Sequence, residues 1–223
     1  MAFKNDMTYM YAFHAALRRE LERIARVTAR PDDDPKHILR TAAGWEMFKS
    51  YLHVHHSTED DMLWPPMRKA LADDSDGLAL IDAMEAEHDA IDPLLAAIDA
   101  ALVDRDSGPQ RLGEFTDAMT TALREHLDHE EAEGLALIDA TITAEQWLAF
   151  GAEGGKRIGE DAPRFLPWVL EGATPDTAAT VLGPLPPALQ QAYRDEWQPA
   201  YAKLALWGTS PDPMFTETFG SRV

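Results

Sequence analysis

Residues 52–66 read LHVHHSTEDDMLWPP. Within this stretch, His55 lies at helical spacing from the apolar residues Phe48 and Leu52. Glu59 follows His55 by four residues. In an α-helix this spacing places both side chains on one face, about one turn apart. The stretch therefore predicts a helix whose apolar face carries a histidine and a glutamate into the protein interior.

The same spacing recurs near residue 130, where Glu130 follows His126 by four residues. His14 and His88 also lie on the apolar stripes of predicted helices. A single histidine on such a stripe is ordinarily a core residue, but four of them, one in each long helix, need partners in a dry interior. A shared metal would satisfy all four. For Glu130 the alternative is a solvated acidic face, because further glutamates follow it.

The chain as a whole predicts an all-α protein. Helix-forming residues dominate, and alternating β-branched runs are absent. Helix-breaking segments at 31–35, 73–77 and 107–109, together with Gly134, divide the first part into four long helices. Short connections between long helices favour an antiparallel up-down-up-down four-helix bundle. Pro65 and its neighbour predict a stop or kink just after Trp64.

The composition changes near residue 141, which predicts a bundle over 1–140 and a helical C-terminal extension over 141–223. Thr143 and Gln146 form a capping box that should open a fifth helix. Shorter helices are predicted at 161–171, 176–182 and 187–207, with a loose tail from 208. The extension is rich in tryptophan and should pack on the bundle or build a homodimer contact. It contains no histidine, so the metal site should lie wholly in the first 140 residues.

Charge and composition narrow the classes of partner. Acidic residues outnumber basic ones 39 to 20, for a formal net charge of −19. Such a surface repels phosphate backbones and anionic lipid, so we expect neither a nucleic-acid nor a membrane partner. The N-terminus lacks the pattern of a signal peptide, and the chain has no apolar run long enough for a membrane span, which predicts a cytoplasmic location.

The available ligand atoms are nitrogen and oxygen. The chain contains no cysteine, which excludes disulfides, thiolate zinc sites and iron–sulfur clusters. Six inward nitrogen and oxygen ligands exceed what one tetrahedral zinc uses. They suit two first-row metal ions bridged by carboxylates.

In their order along the chain, these residues resemble the hemerythrin-like, or HHE cation-binding, family over about residues 8–140. The resemblance is carried by His14, by the run from His55 to Pro65, by the pair Glu87-His88, and by the run from His126 to Glu131. It implies an up-down bundle that holds a non-haem di-iron centre. By this resemblance, His14 and His55 would bind one iron, His88 and His126 would bind the other, and Glu59 and Glu130 would bridge them.

The pattern departs from the family at one ligand. Oxygen-carrying hemerythrins have two histidines four residues apart on the third helix, whereas here Met84 and Asp92 are the residues four positions away from His88. The remaining ligand would come from Asp92, Glu85, His56 or His129, or from water. His56 would flank the second iron or lie between helices. His129 would ligate, donate a hydrogen bond to Glu130, or face solvent.

A ferritin-like carboxylate site is the structural rival, and it needs two Glu-x-x-His motifs. Glu85 and His88 form one, and the sequence supplies no second. The hemerythrin-like interpretation is therefore favoured.

Three function classes follow from a site of this kind. The first is a di-iron protein that binds a small ligand (dioxygen, nitric oxide or peroxide) in sensing or storage. The second is an enzyme, catalase-like or peroxidase-like, that removes hydrogen peroxide or reactive nitrogen species. The third is a structural or interaction module that its metal stabilises. The cofactor expected from the resemblance is two iron ions, with another divalent metal as the alternative.

Overall fold

The computed structural model describes residues 3–29, 35–104 and 106–208. Within these ranges all regular structure is helical, which confirms the all-α prediction. The predicted break over 31–34 and the predicted tail beyond 208 lie outside the described residues. The α-helices are α1 Thr8–Thr28, α2 Pro35–Met62, α3 Trp64–Ala70, α4 Ser75–Val103, α5 Gly108–His129, α6 Leu135–Thr141, α7 Ala144–Ile158, α8 Ala162–Leu170, α9 Pro175–Leu182, α10 Pro187–Ala192 and α11 Gln198–Leu204.

The four long helices form the predicted bundle. Helices α1 and α2, α2 and α4, α4 and α5, and α5 and α1 are in contact, so each long helix packs against the one before and the one after it. This cyclic order is the up-down-up-down arrangement. Buried side chains from all four helices fill its core, including Leu17 of α1, Leu52 of α2, Ile91 of α4 and Leu123 of α5.

Two of the predicted interruptions lie elsewhere than expected. Helix α2 ends at Met62 and α3 begins at Trp64, so the break precedes Trp64 instead of following it. The two prolines that follow Trp64 occupy the first turn of α3, where a missing N–H costs no hydrogen bond. The fourth helix does not end near Gly134 but remains helical to Thr141, because Gly134 itself has helical dihedral angles.

The C-terminal helices pack onto the bundle. Helices α8 and α9 contact α1, and α7 contacts α2. Trp168 of α8 is fully buried and belongs to the same core as Phe13 of α1 and Tyr51 of α2. Its ring centroid lies 5.6 Å from that of Phe13 and 5.0 Å from that of Tyr51. The extension thus shares one hydrophobic core with the bundle.

A buried charge cluster also ties the extension to α1. Glu20 is fully buried and accepts hydrogen bonds from Arg23, at 2.8 Å, and from the indole nitrogen of Trp207, at 2.6 Å. Arg23 also binds Glu171 through both terminal nitrogens, at 2.7 and 2.6 Å. Arg19 donates to the backbone oxygens of Trp168 and Glu171. Two arginines and two carboxylates therefore bridge α1 and the end of α8.

The capping box at Thr143 is present as predicted, with hydrogen bonds in both directions between Thr143 and Gln146. Replacing Thr143 with alanine should lower the free energy of unfolding by about 1 kcal/mol, because an amide at the start of α7 loses its acceptor. Urea denaturation measures this change. Thr180→Ala is the control, since Thr180 is exposed inside α9 and should change stability little. Equal effects of the two substitutions would contradict a capping role.

Candidate metal centre

All four bundle helices contribute to one buried polar cluster. His14 comes from α1 and His88 from α4. Helix α2 contributes His55, His56 and Glu59, and the C-terminal end of α5 contributes His126 and the adjoining Glu130. Each of these seven residues is at most 7% exposed. Their donor atoms form two groups, and within each group all ligand atoms lie within 4.8 Å of one another.

The first group contains His14, His55, Glu59 and Glu130. The Nε2 atoms of His14 and His55 lie 3.2 Å apart. Glu130 Oε2 lies 3.1 Å from Nε2 of His14, and Glu59 Oε1 lies 3.5 Å from Nε2 of His55. Two imidazole nitrogens and two carboxylates thus converge on one point.

The second group contains His56, His88 and His126. The Nε2 atoms of His88 and His126 lie 3.2 Å apart. The rings of His56 and His88 stack with centroids 3.9 Å apart and an interplanar angle of 7°. The Nε2 atom of His56 is buried and has no hydrogen-bond partner among the described residues. Of the residues named for the missing ligand, His56 is the one that the structure brings into a group.

The other three candidates for that ligand lie outside both groups. Asp92 is exposed. Glu85 forms an ion pair with Arg68 on the surface of the bundle. His129 donates from Nδ1 to Glu87 at 2.8 Å and is about one-third exposed. The hydrogen bond from His129 to Glu130 that the sequence suggested is replaced by the one to Glu87.

Glu59 lies between the two groups. Its Oε1 faces His55 at 3.5 Å, and its Oε2 faces His88 at 3.6 Å. Both oxygens of Glu59 and Oε1 of Glu130 are buried without a hydrogen-bond partner in the described part of the chain, and Oε2 of Glu130 faces His14 alone, at 3.1 Å from its Nε2. A buried carboxylate without hydrogen bonds is costly unless a cation accompanies it. The donor set therefore fits bound metal ions.

Carboxylates at the edge of the site orient the imidazoles. The Nδ1 atoms of His14, His88 and His126 lie 2.9, 2.8 and 3.0 Å from carboxylate oxygens of Glu131, Asp60 and Glu87, respectively. Because Nδ1–H donates to a carboxylate in each case, the Nε2 atoms face the two groups, and a neutral ring has its proton on Nδ1. This tautomer is the one in which Nε2 can bind a metal.

The orienting role of Glu87 was not predicted from the sequence. Glu87 precedes His88 directly, so it points about 100° away from that residue and toward α5. The only available signal was its place in the Glu87-His88 pair.

The ionisable residues of the first group differ in the direction in which the protein shifts their pKa values. Burial opposes charge on His14, yet the negative charge of Glu130 and the bond to Glu131 raise the pKa of His14 to about 9. Burial likewise opposes ionisation of Glu130, but the positive charge of His14 lowers the pKa of Glu130 to about 2. Burial and then the charge of Glu130 raise the pKa of Glu59 well above its ordinary value. Without metal, His14 is therefore protonated and Glu130 is ionised, and their opposite charges balance.

Three buried histidines of the site, His55, His56 and His126, favour their neutral form. Burial, followed by the positive charge of a neighbouring histidine, lowers the pKa of His55, His56 and His126. Neutral imidazole is the form that binds metal, so these three residues need to release no proton near pH 7.

Throughout the described ranges, no helix combines the length and the apolar character needed to cross a membrane.

Comparison with known proteins places the chain in a family. The family model for the hemerythrin HHE cation-binding domain matches residues 5–138. Two proteins of Arabidopsis thaliana named zinc finger protein BRUTUS-like are each 22% identical to the chain, over 200 and 208 residues. Each alignment covers 84% of this chain and 16% of the relative, so the chain corresponds to about one-sixth of those proteins. No solved structure matches. Because the family model spans more than half of the chain and includes every residue of the two groups, the protein belongs to the hemerythrin HHE cation-binding domain family.

Proposed function

We propose that this protein binds two iron ions and, through them, a small diatomic or peroxidic ligand. In this proposal His14 and His55 hold one ion, and His56, His88 and His126 hold the other. Glu59 and Glu130 bridge the two. The observation that carries the proposal is the position of Glu59, whose two buried oxygens face one histidine of each group at 3.5 and 3.6 Å.

The chemistry of the donors supports iron. Five imidazoles and two carboxylates exceed what one tetrahedral zinc uses. Nitrogen and oxygen donors in this proportion suit first-row metals such as iron and manganese. When bound, a pair of irons supplies redox chemistry and coordination of small molecules, while the protein provides position and a dry environment. The outer carboxylates Asp60, Glu87 and Glu131 hold the imidazoles in the metal-binding tautomer.

The two groups differ in their number of imidazoles, which favours ligand binding at one of them. The His14 group has two imidazoles, whereas the His56 group has three. With both carboxylates shared, the ion beside His14 and His55 has one protein donor fewer. A small ligand would occupy the additional position. Dioxygen, nitric oxide and hydrogen peroxide are the candidates by size.

The same difference in the number of imidazoles supports an enzyme as the second candidate function. A position open to substrate would allow turnover of hydrogen peroxide or of reactive nitrogen species. The arrangement of residues is the same in both cases, so kinetics must separate them. A metal that only stabilises the fold is the third possibility.

The test begins with anaerobic loading by ferrous iron. We expect two irons per chain by elemental analysis, and a charge-transfer band that is absent from the ferrous protein and appears on addition of dioxygen, nitric oxide or peroxide. Sustained peroxide consumption would favour the enzyme, and stoichiometric binding would favour the ligand-binding protein. His53→Ala, which removes an exposed histidine of α2, is the control and should change nothing. Fewer than two irons in the parent protein would contradict the di-iron proposal, and a spectrum that responds to none of the three ligands would contradict ligand binding.

A further inference from the structure

The helix that carries His126 and Glu130 changes its winding directly after the metal-site residues. Residues Glu130–Gly134 form a single π-helical turn between α5 and α6. The N–H of Leu135 binds the carbonyl oxygen of Glu130, five residues earlier. Turns of this kind are rare inside α-helices and occur frequently at functional sites.

Gly134 closes this turn without needing the conformational freedom of glycine. Its φ of −59° and ψ of −51° are ordinary helical values that any residue adopts. Glycine is also disfavoured relative to alanine inside a helix. The backbone therefore does not explain why glycine is found here, and the explanation lies in the space around it.

A side chain at position 134 would collide with Glu130. A Cβ atom built on Gly134 would lie 2.9 Å from Cγ of Glu130 and 3.6 Å from the sulfur of Met84. Gly113, in the second turn of α5, is different, because no described atom apart from its chain neighbours and its own helix backbone lies within 4 Å of a Cβ built there. The carbon that would be displaced is bonded directly to the carboxylate carbon of Glu130. Since Glu130 is fully buried, rotation of its side chain would carry the carboxylate away from its place 3.1 Å from His14.

We propose that Gly134 is a positioning residue of the metal centre, and this inference rests on the proposed function. The absence of a side chain at position 134 leaves the space in which the Glu130 side chain turns toward His14 and His55. The π turn brings Gly134 beneath that side chain. Gly134 contacts no metal and acts only through the carboxylate of Glu130.

The test is Gly134→Ala, with Co²⁺ as the probe under anaerobic conditions. We expect Co²⁺ affinity to fall by at least about 10-fold, the lower end of the effect seen when a group that orients a metal ligand is removed. The visible absorption bands of bound Co²⁺ should also change, because they report the arrangement of the ligands. Gly113→Ala, the same substitution in α5 at a position where a Cβ would meet no described side chain, should bind Co²⁺ as the parent does.

A double-mutant cycle separates positioning from a general effect on the fold. If Gly134 acts through Glu130, adding Gly134→Ala to Glu130→Ala should change Co²⁺ affinity by less than about twofold. Independent, multiplicative losses would overturn the inference. It would also be overturned if Gly134→Ala fails to fold while the double variant folds, since the glycine would then serve the fold.

Two further outcomes distinguish this inference from the proposed function. A parent protein that binds no Co²⁺ and no iron would overturn the proposed function and the inference with it. A parent and a Gly113→Ala variant that bind two ions, beside a Gly134→Ala variant that binds them equally well, would overturn the inference alone.

Discussion

Replacing Glu59 with glutamine should lower metal affinity by at least about 100-fold, the upper limit for loss of a group that merely orients a ligand. Glutamine keeps the shape of the side chain but removes its charge, so it cannot bridge two cations. The metal-free protein should be at least as stable as the parent, because a buried carboxylate without hydrogen bonds is replaced by a neutral amide. The amide can donate to Nε2 of His55 or His88, whose distances from Glu59 are 3.5 and 3.6 Å.

Elemental analysis and thermal melting, each with and without iron, measure the two parts of this prediction. In the parent, metal that binds only the folded state should raise the melting temperature, and in Glu59→Gln that increase should nearly vanish. Glu133→Gln removes an exposed acid from the turn that carries Glu130 and should retain both ions. Full occupancy in Glu59→Gln would remove this residue from the metal site.

Glu130→Gln should also lower metal affinity, but with a different effect on the metal-free fold. Glu130 forms a buried ion pair with His14, whereas Glu59 has no such partner within hydrogen-bonding distance among the described residues. Removing one member of a buried pair leaves the other charge uncompensated. The two bridging candidates should therefore differ in the sign of their effects on the stability of the metal-free protein.

The periodicity of the sequence was sufficient to predict the burial of most residues of the candidate site. His14, His55, His88 and His126 each lie on the apolar stripe of a helix, and a residue on that stripe points into a bundle whatever the detailed packing. The spacing of four that links His55 to Glu59 fixes their common face in the same way. These inferences depend only on the geometry of a single helix.

The surroundings of the His56 side chain cannot be predicted from the geometry of a single helix. A residue adjacent to His55 points about 100° away from it, which in a bundle is either a gap between helices or a neighbouring helix. The outcome depends on how α2 is rotated against α4, which periodicity does not determine. In the structure the His56 ring stacks on that of His88, and this contact brings it into the second group.

The sequence also left open whether the extension packs on the bundle or forms a homodimer contact. Its helices could be predicted from capping residues and prolines, but its docking depends on complementary surfaces far apart in the chain. Arg19 and Arg23 look like solvated charges of an amphipathic helix, yet they bind backbone oxygens of residues 168 and 171 and the carboxylate of Glu171. Burial of charged groups of this kind depends on partners that no local pattern reveals.

The shared core makes a large stability effect expected at Trp168. Replacing this fully buried side chain with alanine should lower the free energy of unfolding by about 3–5 kcal/mol. The whole protein should lose stability, and not the extension alone, because Trp168 packs on Phe13 of α1 and Tyr51 of α2. Urea denaturation followed by circular dichroism should therefore show one cooperative transition moved to lower denaturant, with its slope unchanged.

Two controls separate packing from other causes. Trp168→Phe keeps an aromatic ring and should cost much less than alanine, since the indole N–H has no hydrogen-bond partner among the described residues and none is lost. Leu148→Ala removes an apolar side chain of the extension that is 73% exposed and should change stability by less than about 0.5 kcal/mol. If Trp168→Ala instead produced an early transition of the extension alone, followed by a transition of the bundle at the parent midpoint, the two parts would unfold independently.

Because Phe13 also stacks on the His55 ring at 4.5 Å, a shared core further predicts weaker metal binding in Trp168→Ala than in Leu148→Ala.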